Sequence, residues 1–160
     1  MDKIQLKSII AVVLLSFCVS LQAQILQPAS WNYGVSKQIF TVGEEVELIF
    51  KVELDESWHL YSNIQNYELG PLPTVFEFEP NESYKLVGGV KPMGYKTKFD
   101  DVFEVKVNYF EHTAEFRQKV KILSKTPVIK GYYEYQVCTT VDGKCILGDD
   151  EFEFTIETTN

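Results

Sequence analysis

The sequence predicts an all-β domain, an immunoglobulin-like β-sandwich of about eight short antiparallel strands. Apolar and polar residues alternate with a period of two along most of the chain, which is typical of strands with one buried face. Turn-forming residues recur roughly every ten positions. No window shows the apolar stripe of an amphipathic helix.

The chain begins with the features of a secretory signal peptide over residues 1–23. Lysines precede an apolar run at residues 9–19 that is too short to span a bilayer, and Ala23 is a suitable last residue before cleavage. No later stretch is long and apolar enough for a membrane helix. We therefore expect an exported protein whose mature chain is a single domain, residues 24–160.

The strands can be assigned in chain order. Residues 24–38 lack clean periodicity and are expected to form a leading arm with one short strand. Glu45–Leu54 alternates most clearly, with apolar residues at every even position. Six further segments, each alternating or rich in β-branched and aromatic residues, predict strands: residues 74–78, 84–87, 103–109, 114–122, 132–137 and 152–156. Glu111 and His112 predict a tight hairpin connection.

Charge and composition exclude several classes of function. The formal net charge is −8, which argues against nucleic acid and anionic membrane surfaces as partners. His59 and His112 are the only histidines, and without a spaced set of carboxylates or cysteines they predict no metal site. His59 is expected on a strand surface. The chain has no glycine-rich phosphate loop, and no cofactor is expected.

The cysteine pair is the strongest candidate for chemistry. Removal of the leader also removes Cys18, which leaves Cys138 and Cys145 in an oxidising compartment. A two-residue turn would make them diagonal neighbours roughly 7–8 Å apart, at or beyond bridging distance. A four-residue loop, residues 140–143, puts them directly opposite each other within about 4.5–5.5 Å. It also puts Gly143 where a positive φ is often needed. We predict the second arrangement, with both sulfurs on one face.

The spacing alone leaves two functions open for this disulfide. It closes a loop of about eight residues and would stabilise the fold by roughly 2.5 kcal/mol. That is modest, because a domain of this length buries roughly two-thirds of its unfolded surface without help. The pair is either redox-active or a passive hairpin staple in an exported immunoglobulin-like binding or structural module.

Four short segments occur in a distinctive order along the chain. They are Ser57-Trp58-His59-Leu60-Tyr61, Gly70-Pro71-Leu72-Pro73-Thr74, Phe99-Asp100-Asp101-Val102-Phe103, and Tyr135-Gln136-Val137-Cys138 followed by Cys145. In order and spacing, over roughly residues 42–156, they resemble the N-terminal periplasmic domain of the thiol:disulfide interchange protein DsbD. The pattern differs from the family's after the second cysteine, where Ile146-Leu147-Gly148 stands in place of a proline pair.

The resemblance implies a periplasmic immunoglobulin-like domain that is a component of a protein-disulfide reductase. Cys145 would form the mixed disulfide with a partner, and Cys138 would resolve it. The family protein continues into membrane helices and a thioredoxin-like domain, whereas this chain stops at Asn160. Its expected partners are therefore a thioredoxin-like redox protein or domain in trans and exported disulfide-containing proteins.

The resemblance also implies a cap loop over the sulfurs. Phe103 or Phe99 would shield a reduced pair from the oxidising compartment and move aside for a partner. Asp100 and Asp101 would raise the thiol pKa by like-charge repulsion, or form a plain solvated loop.

Three tyrosines are candidates for lining the cysteine face: Tyr61, Tyr133 and Tyr135. Ordinary packing in the core or on the surface is the alternative for each of them.

Overall fold

The computed structural model describes residues 26–158, and these residues form strands and loops without a helix. The predicted signal peptide, residues 1–23, lies outside the described residues. Within them no helix is long and apolar enough to cross a membrane. The strands are β1 (Ala29–Val35), β2 (Ile39–Phe40), β3 (Glu45–Leu54), β4 (Trp58–Tyr61), β5 (Val75–Phe78), β6 (Tyr84–Met93), β7 (Lys96–Asp100), β8 (Val105–Glu111), β9 (Thr113–Ile122), β10 (Val128–Thr139), β11 (Cys145–Thr155) and β12 (Glu157–Thr158).

Two antiparallel sheets form the domain. The four-stranded sheet has the order β1-β3-β9-β6, and the six-stranded sheet has the order β11-β10-β4-β8-β7 with β5 also paired to β10. A short parallel pair joins β12 to β2. One continuous apolar core takes side chains from both larger sheets. The predicted all-β sandwich is confirmed, with twelve strands over residues 26–158 in place of about eight.

The additional strands are those that a period of two cannot detect. β2 and β12 contain two residues each, and β4 contains four. β7 is polar and forms an edge of the six-stranded sheet. The predicted strand over residues 103–109 starts later, at Val105, because Phe103 lies in the turn between β7 and β8.

The predicted hairpin at Glu111 and His112 is wrong. A single residue, His112, does connect β8 to β9 and adopts a φ of 63°. However, β8 pairs with β4 and β7, whereas β9 pairs with β3 and β6. The connection therefore crosses from one sheet to the other. Alternation predicts a tight turn at this point, but it carries no information about which strands then pair.

Strand β10 divides its side chains between the core and the opposite face of the six-stranded sheet. Ile129, Tyr133 and Val137 lie in the core between the sheets. Gln136 and Cys138 alternate with them and therefore lie on the outer face. This alternation places the cysteine pair outside the core, at one end of the β10–β11 hairpin.

Gly131 in β10 allows a close approach between strands, and we expect Gly131→Ala to destabilise the fold. An added Cβ would lie 2.0 Å from the Glu77 carbonyl oxygen and 2.5 Å from the Phe152 ring. Overpacking of this kind costs about 1–3 kcal/mol. Urea unfolding measures the loss. Gly34→Ala in β1 is the matched control, because its Cβ would meet nothing within 4 Å. Equal stabilities of the two variants would contradict this packing.

Candidate functional site

The β10–β11 hairpin holds the two cysteines in the predicted register. Cys138 is the pairing partner of Cys145, at the end of an antiparallel ladder that begins with Val128 and Thr155. The Thr139 N–H donates to the Lys144 carbonyl at 2.9 Å and closes the four-residue loop. Gly143 has a φ of 70°, a backbone conformation that favours glycine. The four-residue loop and its glycine are therefore confirmed.

The two sulfurs form a disulfide in very different surroundings. Their S–S distance is 2.02 Å, and the two Cα atoms are 4.1 Å apart. Cys138 is 3 % exposed, whereas Cys145 is exposed to solvent. A partner can therefore reach Cys145 directly, while Cys138 lies beneath its neighbours.

Cys138 belongs to a small apolar cluster on the outer face of the six-stranded sheet. We call this the cysteine-face cluster; its buried members are Tyr61, Val107, Tyr109 and Cys138, and Tyr67, Phe103 and Val105 pack against it. It is separate from the core between the sheets. The sulfur on β10 is therefore covered by β4, β8 and two loops.

Of the three candidate tyrosines, only Tyr61 lies on the cysteine face. Tyr133 is buried in the core between the sheets, and Tyr135 packs against that core. The Tyr133 ring stacks on Trp31 at 4.1 Å between centroids, and the Tyr135 ring contacts it in a tilted arrangement at 5.2 Å. Their placement on the cysteine face is wrong because they occupy odd positions of β10, whereas Cys138 occupies an even one.

Asp100 organises the loop that covers the cluster. Its carboxylate is 6 % exposed and accepts a hydrogen bond from the Tyr61 hydroxyl at 2.9 Å. Its other oxygen accepts from the backbone N–H groups of Val102 and Phe103, at 3.0 Å and 3.2 Å. Asp100 is thus a buried turn anchor, and the alternative of a solvated loop does not apply to it. The Phe103 ring meets the Tyr61 ring edge-on at 6.2 Å between centroids.

The other two predicted cap residues, Phe99 and Asp101, are exposed to solvent. Phe99 is 56 % exposed and pairs with Lys106. Its neighbour Lys98 reaches over the Tyr109 ring of the cysteine-face cluster, so Phe99 points to the opposite face of β7. Asp101 is exposed in the turn.

Tyr67 provides a second cover that the sequence did not indicate. Its half-buried ring packs against the cysteine-face cluster, and its hydroxyl donates to the Pro71 carbonyl at 2.6 Å. Burial, with the charge of Asp100, raises the pKa of Tyr67 to about 12. Gly70 permits this fold of the loop, since a Cβ there would lie 2.7 Å from the Tyr67 ring. Only Gly70 in a proline-rich loop hinted at a close approach.

His59 is buried beside the disulfide and does not lie on a strand surface as predicted. It is 4 % exposed and is the pairing partner of Cys138 across β4 and β10. Its Nε2 lies 3.1 Å from the Tyr61 hydroxyl. Burial lowers the pKa of His59 to about 4, and the nearby Lys98 adds to the decrease. The signal was its position two residues before Tyr61, on the same face of the strand.

Burial also keeps the Tyr61 hydroxyl, which lies between His59 and Asp100, in its protonated state. Burial, followed by the hydrogen bond to Asp100, raises the pKa of Tyr61 far above its ordinary value. The phenol therefore remains a hydrogen-bond donor at neutral pH.

Gln136 adds a polar contact to the sulfur, with its Nε2 3.5 Å from Cys138 Sγ. Within residues 26–158 no group of three or more histidine, cysteine or acidic side chains could hold a metal ion.

A comparison of the sequence with models of known protein families identifies the family of this chain. Residues 22–157 match the family model described as thiol:disulfide interchange protein DsbD, N-terminal. The chain belongs to this family. As a DsbD N-terminal domain, it is a thiol–disulfide interchange domain, and Cys138–Cys145 is its disulfide.

Solved structures share the fold of this DsbD N-terminal domain. The reduced N-terminal domain of DsbD from Neisseria meningitidis matches with a TM-score of 0.51 and 18% identity, over 69% of this chain and 77% of that one. The N-terminal periplasmic domain of ScsB from Proteus mirabilis matches with a TM-score of 0.55 and 15% identity, over 84% of this chain and 49% of that one. The chain thus spans about half of the ScsB structure. No curated protein sequence gives a significant match.

We expect Phe103→Ala to speed the reaction of the reduced pair with a small aromatic disulfide. An aromatic contact such as that with Tyr61 is worth about 1 kcal/mol, so the rate should rise about three- to tenfold. Stopped-flow absorbance measures the rate. Phe99→Ala is the matched control, since that ring lies on the opposite face of β7, and its rate should be unchanged. Equal rates for Phe103→Ala and the wild type would mean that Phe103 does not shield the sulfurs.

The buried His59 should make the fold sensitive to acid. Above the ordinary histidine pKa of 6.5 the imidazole is neutral in both states. As the pH falls towards 4, the unfolded chain takes up a proton and the folded chain does not, so stability decreases by about 2–3 kcal/mol. Urea unfolding of the oxidised protein near pH 7 and pH 4 measures the loss. His59→Gln should lose correspondingly less; parallel losses in both proteins would contradict a depressed pKa.

Proposed function

We propose that the protein is an exported electron relay, which passes electrons from a thioredoxin-like donor to exported disulfide-containing proteins through Cys138 and Cys145. The unequal exposure of the two sulfurs is the observation that carries this proposal. A relay needs one sulfur that meets the partner and another that waits to release it. Cys145 is exposed and Cys138 is 3 % exposed, which suits these two roles.

The exchange proceeds by two displacements. The Cys145 thiolate attacks a disulfide sulfur of the target; a mixed disulfide forms, and the displaced target thiolate takes a proton from water. Cys138 then loses its proton and attacks Cys145 Sγ, which restores the internal disulfide and releases the second target thiolate. Two electrons pass to the target. A thioredoxin-like dithiol reverses both steps and reduces the pair again.

Apolar side chains around Cys145 support docking of a protein partner. Val141 lies in the hairpin loop, Leu147 follows Cys145 on the same face of β11, and both are exposed. Exposed Val102 of the cap approaches the loop at Gly143. Exposed Leu72 donates its backbone N–H to the Gln136 side chain that contacts Cys138. Exposed apolar groups concentrated in one place are typical of an interaction surface.

The cap has two parts in this proposal. Phe103, in the turn held by Asp100, and Tyr67, in the loop after β4, both pack against the cysteine-face cluster. Their displacement by a partner would uncover Cys138 after Cys145 has reacted. Phe99 takes no part in the shield, because its ring lies on the opposite face of β7, and Asp101 is exposed to solvent in the turn.

The periplasm is the proposed compartment, after cleavage of residues 1–23 from the domain at residues 24–160. A basic start and a short apolar run are the features of an export signal. The matched ScsB structure is described as periplasmic. Exposed thiols in an oxidising compartment are converted to disulfides, so a reduced dithiol is useful there only if it is shielded.

A passive staple is the alternative function. The disulfide closes a short loop and would contribute about 2.5 kcal/mol. The hairpin, however, is already held by continuous pairing from Val128–Thr155 to Cys138–Cys145. Its strands also contribute Tyr133, Val137, Phe152 and Phe154 to the core. Pairing and packing therefore hold the hairpin without the bond, and we expect the scaffold to stay in place when the bond opens.

Trapping of the mixed disulfide tests the relay. Reduced Cys138→Ser protein should form a stable mixed disulfide through Cys145 with a thioredoxin-like domain that keeps only its exposed active-site cysteine, loaded beforehand as a disulfide with a small aromatic thiol, because neither protein then has a second thiol to resolve the product. Cys145→Ser is the matched control and should trap far less, since Cys138 is buried. Non-reducing electrophoresis and mass spectrometry identify the product. Absence of a complex with Cys138→Ser, or equal trapping by both variants, would contradict the proposal.

A further inference from the structure

We infer that His59 tunes the redox equilibrium of the pair by accepting a hydrogen bond from the Cys138 thiol, a bond that only the reduced state can make. The inference rests on the proposed function, because it concerns the potential of the same disulfide. It assigns a role to a buried side chain that the exchange chemistry above does not use.

The sheet places the imidazole directly beside the buried sulfur. His59 on β4 pairs with Cys138 on β10, so their side chains project from the same face of the sheet. Residues opposite each other on antiparallel strands have Cβ atoms about 4.5–5.5 Å apart. Both residues are almost completely buried. The imidazole and the thiol are thus neighbours in a site without solvent.

The hydrogen bonds of Tyr61 determine which nitrogen of His59 carries the proton. The Tyr61 hydroxyl donates its single hydrogen to the Asp100 carboxylate at 2.9 Å. Its oxygen can then only accept from His59, so Nε2, 3.1 Å away, is the protonated nitrogen. In a neutral imidazole the other nitrogen, Nδ1, is an acceptor. The low pKa of His59 agrees with a neutral ring at physiological pH.

Nδ1 has no hydrogen-bond partner in the oxidised protein. It is buried, and nothing among the described residues donates to it. A buried acceptor without a donor costs free energy, and native structures seldom leave one without a reason. The oxidation state supplies the reason here. A disulfide sulfur carries no hydrogen, whereas reduction adds two electrons and two protons and gives Cys138 an S–H donor.

The two redox states therefore differ in one buried interaction. The oxidised state leaves Nδ1 unpaired, and the reduced state pairs it with the Cys138 thiol. The partner dithiol supplies both electrons and both protons, so the hydrogen bond adds no reactant to the exchange. Because only the reduced state is stabilised, His59 raises the reduction potential of the pair and makes it easier to reduce.

The surroundings of His59 keep the ring in place rather than supplying another donor. Tyr109 of β8 meets the imidazole edge-on at 5.9 Å between centroids. Glu111 of β8 is its pairing partner on the other side and can only accept when ionised. Lys98 and Asp100 of β7 act on it through their charges. Asp100, Tyr61 and His59 thus form a chain that orients Nδ1 and leaves it open.

Redox titration of His59 variants against a dithiol couple of known potential tests the inference. His59→Phe removes the acceptor, so the ratio of reduced to oxidised protein at a fixed reference potential should fall about tenfold, which corresponds to about 30 mV. His59→Asn keeps an amide oxygen at the position of Nδ1 and should stay close to the wild type. His112→Asn, an exposed change at a position of positive φ that asparagine tolerates, should have no effect.

A spectroscopic readout separates this bond from a purely structural role. In the wild type the ¹⁵N resonance of His59 Nδ1 should move on reduction towards the value of a hydrogen-bonded acceptor. An unchanged resonance, or equal titration curves for His59→Phe and the wild type, would overturn the inference. A failure of the relay is distinguishable, because it would appear as absence of partner trapping by Cys138→Ser whatever the His59 variants show.

Discussion

The register between β10 and β11 is the constraint on which the site depends. Because side chains alternate between the two faces of a strand, a slip by one residue would bring Cys138 into the core and Tyr133 out of it. The core forbids that slip, since Tyr133 and Val137 are fully buried between the sheets. Hydrophobic packing on one face thus fixes the positions of the sulfurs on the other. The fold of the hairpin therefore does not depend on the disulfide.

A single buried carboxylate connects the parts that surround the sulfurs. Asp100 holds the turn that carries Phe103, and it also accepts the hydroxyl of Tyr61. Tyr61 in turn orients His59, the neighbour of Cys138 across the sheet. Movement of the loop that carries Phe103 would therefore act on the network beside Cys138. In the proposed relay, shielding and the redox equilibrium are linked through this one group.

The local sequence pattern predicted eight of the twelve strands in residues 26–158, the four-residue loop and the positive φ of Gly143, because these features depend on neighbouring residues. The local pattern does not predict which strands pair when they are far apart in the sequence. The crossover at His112 differs from a hairpin only in the choice of partner strands. The faces of β10 could have been predicted, since parity alone separates Tyr133 from Cys138. The contact of Tyr67 with the cysteine-face cluster could not, because it depends on the path of a loop.

The central claim is that Cys138–Cys145 is a redox-active carrier and not a staple. Its reduction potential tests this claim most directly, through equilibration of the wild-type protein with a dithiol couple of known potential. We predict a value within the range of thiol–disulfide carriers, above roughly −300 mV. A value well below this limit, where structural disulfides lie, would contradict the account.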